Sequence, residues 1–296
     1  MKKSVSLVLG SGGARGLAHI GIIRWLEENN YHIASISGCS IGALIGGIYA
    51  AGKLDQFEEW ITSIDSVDMA LLLDISWQSS GIFKGDKIIN TLVDLIGDIA
   101  IEDLPMPYTA VAADVAEEKE IWLNSGRLFD AIRASISLPL FFTPFVIDGV
   151  ALIDGGVLNP VPIAPTFGDK TDITLAVNLG GPIEEQVIAA PVITRDSKLH
   201  AKVSTYIDKL HNSVKKSFDF NIEGYEIANQ AFDAMQSTIA RQKLAAYPAD
   251  VTIEIARNAC GTLEFDKASE MIALGRTKAE FYFQNTSYCS SKKLNL

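Results

Sequence analysis

The apolar positions of the chain fall into short strand-sized runs and longer stretches with a helical period. Val5 to Leu9 is a short apolar run that stops at a glycine cluster, and Leu17, Ile20, Ile23 and Leu26 then repeat at helical spacing, so strand, loop and helix are predicted in that order. A second strand at Ile33 to Ile36 leads through Ser37 to Gly42 into a small, apolar helix over Ala43 to Ala51, with Gly52 as its cap. The spacing from Leu54 to Ile99 is mostly helical, broken by a loop around Trp77 to Gly81 where Ser and Gly collect. Tyr108 to Ala113 and Glu120 to Leu123 read as strands and Arg127 to Ser135 as a helix. Pro139, Pro144, Pro160 and Pro162 make Leu138 to Pro162 irregular, with short strands at most. Strands are predicted at Asp172 to Asn178 and Val251 to Ile255, two helices over 196–246, and a closing helix from Lys267 to Phe283. Strands alternating with helices predict an α/β layered fold around a largely parallel sheet.

With 296 residues, 48% of them apolar, the chain is long enough to bury one large core, and we read 1–296 as a single domain with a helical elaboration around 196–246. The 25 basic residues against 36 acidic ones leave a net charge of −11, which argues against a nucleic-acid partner because phosphate binding needs a basic surface. Cys39, Cys260 and Cys289 are odd in number and widely spaced, so neither a disulfide framework nor a zinc site is expected, and a reducing, cytoplasmic setting fits. Lys2 and Lys3 before Val5 superficially resemble a secretory leader, but an apolar run of about five residues is too short, and a strand is expected there. No stretch approaches the ~20 apolar residues of a membrane span. Membrane contact is therefore expected to be peripheral, at the inner membrane.

Gly38-Cys39-Ser40-Ile41-Gly42 fits G-x-S-x-G, in which a serine sits on a strained turn between strand and helix and small flanking residues let the backbone pass. The following helix would aim its positive end at the serine, favouring a developing oxyanion. Gly10 to Gly16 forms a second strand-to-helix loop almost without side chains. Arg15 breaks the register of a dinucleotide fingerprint, and the G-K-[ST] ending of a phosphate loop is missing, which leaves an oxyanion hole. Asp154-Gly155-Gly156, taken alone, is a turn.

Together these elements resemble the patatin-like phospholipase family, where a glycine-rich loop ending in Arg-Gly, a G-x-S-x-G turn and an Asp-Gly-Gly or Asp-Gly-Ala come in the same order. Ala134 to Pro139 with Phe142 and Pro144, and Ala112-Ala113-Asp114 with Gly126, are similar to the stretches between those motifs. Asp250, Phe265-Asp266 and Gly275 resemble the branch of bacterial and neuropathy-target-esterase-like members, and only residues 183 to 245 find little to match. One departure is Ser11, which stands where the family loop commonly has its first glycine.

The resemblance implies a three-layer α/β/α fold with a central, mostly parallel sheet. It implies a lipid acyl hydrolase whose nucleophile Ser40 passes its proton directly to Asp154. It further implies an oxyanion hole at Gly12, Gly13 and Arg15, with Gly38, Gly42, Gly155 and Gly156 supporting the motifs, no metal and no cofactor. The substrate would be an acyl-ester lipid. His200 or His211 would complete a Ser-Asp-His order as in α/β-hydrolases, but both fall in a helical stretch where histidines are more often surface residues. His19 is expected to pack or hydrogen-bond beside the glycine loop, His32 has no catalytic context, and Cys39 is expected to be a small buried filler. The rival functions are acyl transfer to an acceptor other than water and a non-catalytic lipid-binding module. Leu199, Val203, Tyr206, Leu210 and Val214, with Lys198, Lys202, Lys209, Lys215 and Lys216 nearby, suit either a helix on the core or an interfacial helix.

Overall fold

A computed structural model of the chain describes residues 2–65, 68–69, 72, 85–139, 141–185 and 222–292. Its strands are β1 (Lys3–Leu9), β2 (Tyr31–Cys39), β3 (Tyr108–Asp114), β4 (Lys119–Leu123), β5 (Phe145–Ile147), β6 (Val150–Asp154), β7 (Ile173–Gly181) and β8 (Val251–Ala256). The helices are α1 (Ala18–Glu28), α2 (Ile41–Ala50), α3 (Leu54–Ser63), α4 (Asp86–Ile96), α5 (Leu128–Ser135), α6 (Ile222–Ala246) and α7 (Ala268–Lys292). The sheet runs β5-β6-β3-β2-β1-β7-β8, with β4 also paired to β3. The pairs β3–β2, β2–β1, β1–β7 and β7–β8 are parallel, and the three involving β4, β5 and β6 are antiparallel.

Helices cover both faces, as the two-residue period of β1 requires. Val5, Leu7 and Leu9 point into the main core with α1, α2, α3, α4, α5 and α7. Val8 points the other way, into a smaller cluster with Val161, Ile163, Ala176 and Ala240 of α6. The expected three-layer arrangement with a mostly parallel sheet is what the chain adopts.

Departures from the expected elements have local causes. β2 continues to Cys39 instead of ending near Ile36, because Val8↔Ser37 and Leu9↔Gly38 on one side and Ser37↔Thr109 and Cys39↔Val111 on the other keep it in the ladder. Pairing on both edges outweighs the poor strand propensity of Ser and Gly. The proline-rich stretch carries only short strands, as expected, and they form a hairpin, β5–β6, closed by Asp148 (φ 50°) and Gly149 (φ 81°), the two positive-φ positions of a type I′ turn. α1 begins one residue later than expected, after a 3-10 turn at Gly13–Leu17. α7 runs well past Phe283. Of the two helices expected over 196–246, α6 is described; the amphipathic stripe and lysines from Lys198 to Lys216, His200, His211 and the loop at Trp77 to Gly81 lie outside the described residues.

β3 is the ruler on which two other strands are set. Its residue Val111 faces Cys39 of β2 on one edge and Trp122 of β4 on the other, while the next residue, Ala112, faces Ile121 of β4 and Asp154 of β6. Hence β6 takes over the edge of β3 where β2 leaves it. The residue after β2 and the last residue of β6 are thereby brought side by side.

Candidate active site

The residue after β2 is Ser40, held at φ 56° and ψ −124°, a backbone conformation that side-chain-bearing residues rarely adopt. Two close approaches force this turn. A Cβ on Gly42 would lie 2.1 Å from the Leu9 carbonyl oxygen, and one on Gly38 would lie 2.5 Å from the Gly42 carbonyl oxygen. Ser135, fully buried on α5, locks the turn from outside: its hydroxyl accepts the Ser40 N–H at 2.9 Å and donates to the Val111 carbonyl at 2.6 Å. Ser40 begins α2, so its hydroxyl stands beside the positive end of that helix, and it is 9% exposed.

Asp154 is fully buried. Its N–H bonds the Ser137 carbonyl at 3.0 Å, and its Oδ1 accepts the Gly156 N–H at 2.7 Å and the Cys39 thiol at 3.8 Å. Among the described residues Oδ2 has no hydrogen-bond partner, while the Ser40 hydroxyl stands close enough to favour the charged carboxylate. Burial outweighs these donors and pushes the pKa of Asp154 up to about 6, well above its ordinary 3.8. The same burial, with the Asp154 charge, raises the Cys39 thiol well above its usual range, so Cys39 stays a neutral thiol beside the carboxylate.

The glycine loop packs against the chain neighbours of both residues. A Cβ on Gly16 would overlap Ile41, the residue after Ser40, and a Cβ on Gly156 would sit 2.7 Å from the Ser11 hydroxyl. Within the loop the N–H groups of Gly10, Ser11 and Ala14 bond the carbonyls of Val177, Pro160 and Thr262. Those of Gly12 and Gly13 have no hydrogen-bond partner among the described residues, and Gly13 takes φ 58°. Arg15, 4% exposed, turns its guanidinium toward the carbonyls of Arg257 and Cys260 and toward Asp233 of α6, at 3.3 to 3.4 Å. It anchors the loop from behind.

Ser40, Asp154 and the glycines at 38, 42, 155 and 156 are thus gathered in one place, with the glycine loop packed beside them through Ser11 and Gly16, while the Arg15 side chain leads away. His19 is wholly buried and bonds the Gly10 carbonyl at 2.9 Å; burial lowers its pKa to about 4, so it is a neutral donor that steadies the glycine loop. His32 is exposed and, beside Ser4, lies at the opposite end of β2 from Ser40. Ser135 carries no sequence signal beyond its place in the Ala134 to Pro139 stretch, and Gln236 is brought near only by helix packing. Among the described residues no cluster of His, Cys, Asp or Glu is suited to a metal ion, and no helix is long and apolar enough to cross a membrane.

The family model Patatin-like phospholipase matches residues 7–167. The chain is 38% identical to an uncharacterized NTE family protein of Mycobacterium tuberculosis, over 93% of this chain and 90% of that protein. It is 36% identical to patatin-like phospholipase domain-containing protein 6 of Homo sapiens, over 59% of this chain and 13% of that protein. It is 33% identical to the neuropathy target esterase sws of Drosophila sechellia, over 54% of this chain and 11% of that protein.

Proposed function

The chain belongs to the patatin-like phospholipase family, and from that premise we propose that it is a serine lipid acyl hydrolase working through Ser40 and Asp154. The observation that carries the reading is the meeting of a strained, helix-capping serine with a fully buried carboxylate at adjacent positions along one edge of β3.

In this reading the Ser40 oxygen attacks the acyl carbonyl carbon and its proton passes to Asp154. A carboxylate of ordinary pKa is a feeble base, and burial that lifts Asp154 to about 6 moves it toward the working pH. The oxyanion of the tetrahedral intermediate is received by the unspent Gly12 and Gly13 N–H groups, aided by the positive end of α2. Collapse of the intermediate expels the alcohol, which takes the proton from Asp154 and leaves an acyl ester on Ser40. Water, giving its proton to Asp154, then attacks that ester; its collapse frees the fatty acid and restores the Ser40 hydroxyl. Arg15 serves through the loop it anchors. The substrate class is an acyl-ester lipid, reached at a membrane surface by peripheral contact.

A fluorophosphonate should form a covalent adduct on Ser40, read by peptide mass spectrometry, and block release of fatty acid from a panel of phospholipids and lysophospholipids. An adduct at another serine, or hydrolysis that persists after stoichiometric labelling, would overturn the assignment. Because Asp154 must be ionised to accept the proton, kcat/KM should fall about tenfold per pH unit below about pH 6. A stopped profile on a p-nitrophenyl ester measures this, and an acid limb centred near pH 4 would show that burial does not lift the Asp154 carboxylate above its ordinary range.

A further inference from the structure

We infer that Gln236 of α6 is a positioning residue that holds the oxyanion loop against the aspartate turn, an inference that rests on the acyl-hydrolase reading above. Gln236 is a buried polar side chain on a helix whose C-terminal half packs on β7, and its Nε2 donates to the Ser11 hydroxyl at 3.3 Å. Ser11 directly precedes Gly12. The same Nε2 lies against the aspartate turn: around the point where Gly156 would carry a Cβ stand Gln236 Nε2 at 2.3 Å, the Ser11 hydroxyl at 2.7 Å and Asp154 Oδ1 at 3.0 Å. The missing side chain of Gly156 is what admits the carboxamide between the two loops.

This placement has three consequences. The glycine loop is fixed from the α6 side by Ser11–Gln236 and by the Arg15–Asp233 ion pair, one helical turn apart on the same helix. The spacing between the Gly12 and Gly13 donors and the Asp154 carboxylate is then set by a side chain belonging to neither loop. The carboxamide also presents the positive end of its dipole to the neighbourhood of Asp154. Ser11, where the family loop commonly has glycine, supplies the hydroxyl that this contact needs.

The test uses the full chain and a soluble p-nitrophenyl ester. Gln236→Leu, similar in volume, should lower kcat by about tenfold to a hundredfold, the scale of a misplaced catalytic geometry, with KM within about twofold. Ser11→Gly should act through the same contact, so the double variant should be no slower than Gln236→Leu alone. Gln236→Glu, nearly isosteric, places a second carboxylate beside Asp154 and should move the acid limb of kcat/KM upward by about one pH unit. Wild-type kcat in Gln236→Leu, independent effects that multiply in the double variant, or an unmoved acid limb in Gln236→Glu would each overturn the inference. Ser40→Ala runs alongside: turnover that survives it overturns the nucleophile reading, whereas turnover that needs Ser40 and ignores Gln236 overturns this inference alone.

Discussion

Ser40→Ala is expected to reduce ester turnover by about 10⁴-fold or more, the scale on which removing a covalent nucleophile acts, and Ser40→Gly should do the same. The two variants should differ in stability. Ser40 sits at φ 56° and ψ −124°, a conformation that costs a side-chain-bearing residue about 1–3 kcal/mol and glycine little. Alanine keeps the Cβ and its strain. Glycine sheds the strain but gains freedom in the unfolded chain, so a net advantage of about 1 kcal/mol over Ala remains. Thermal unfolding of the two inactive proteins measures it; equal midpoints would mean that the turn stores no strain in the serine.

Asp154→Asn should lose about 10⁴-fold in turnover and at the same time make the protein more stable at pH 8. The folded chain holds the Asp154 proton up to about pH 6, the unfolded chain only to about 3.8. Between those values the folded state binds more protons, so stability is greatest below pH 3.8 and is lost as pH rises through 6. Above pH 6 the buried charge costs about 3 kcal/mol, which Asn removes. The midpoint should rise by about 5 °C at pH 8. His19 works in the opposite sense. Its pKa is about 4 folded against 6.5 unfolded, so the unfolded chain binds more protons and stability falls by about 3 kcal/mol as pH drops from 6.5 to 4. In the wild type the two groups offset one another across that window. In Asp154→Asn the His19 slope stands uncovered, and a variant whose midpoint stays level from pH 6.5 to 4 would contradict the lowered pKa of His19.

How much of the molecule is legible in its sequence depends on the range over which each cause acts. The Ser40 turn is legible because much of its steric demand is local: strand, small residues and helix lie within a dozen positions, and Gly38 is required by the carbonyl of Gly42 in the same turn. Asp154 was not legible in physical terms, since Asp-Gly-Gly is an ordinary turn until its register opposite Ala112 is known. Only the resemblance singled it out. The extent of β2 was underestimated because Ser37 and Gly38 lack strand propensity and owe their conformation to partners on both sides. The β5–β6 hairpin, by contrast, had a visible signal in Asp148-Gly149 inside a stretch dominated by prolines. The resemblance places Arg15 with the oxyanion loop, whereas its guanidinium goes to residues more than 200 positions away. Gln236 has no sequence signal, because its partner Ser11 lies 225 positions away and only the packing of α6 brings the two together.

The division of one strand edge between β2 and β6 gives the site two unequal anchors. Ser40 comes after a strand paired along both sides, but β6 meets β3 at only Ala112↔Asp154 and Ala113↔Ile153, and its hairpin leaves Val146 and Val150 exposed at the sheet margin. Such a segment detaches at a lower free energy than the core beneath it. In the proposed mechanism the proton acceptor is therefore carried by the shorter of the two pairings, and local opening of β6 would take the base away from Ser40 while leaving the turn of the nucleophile intact.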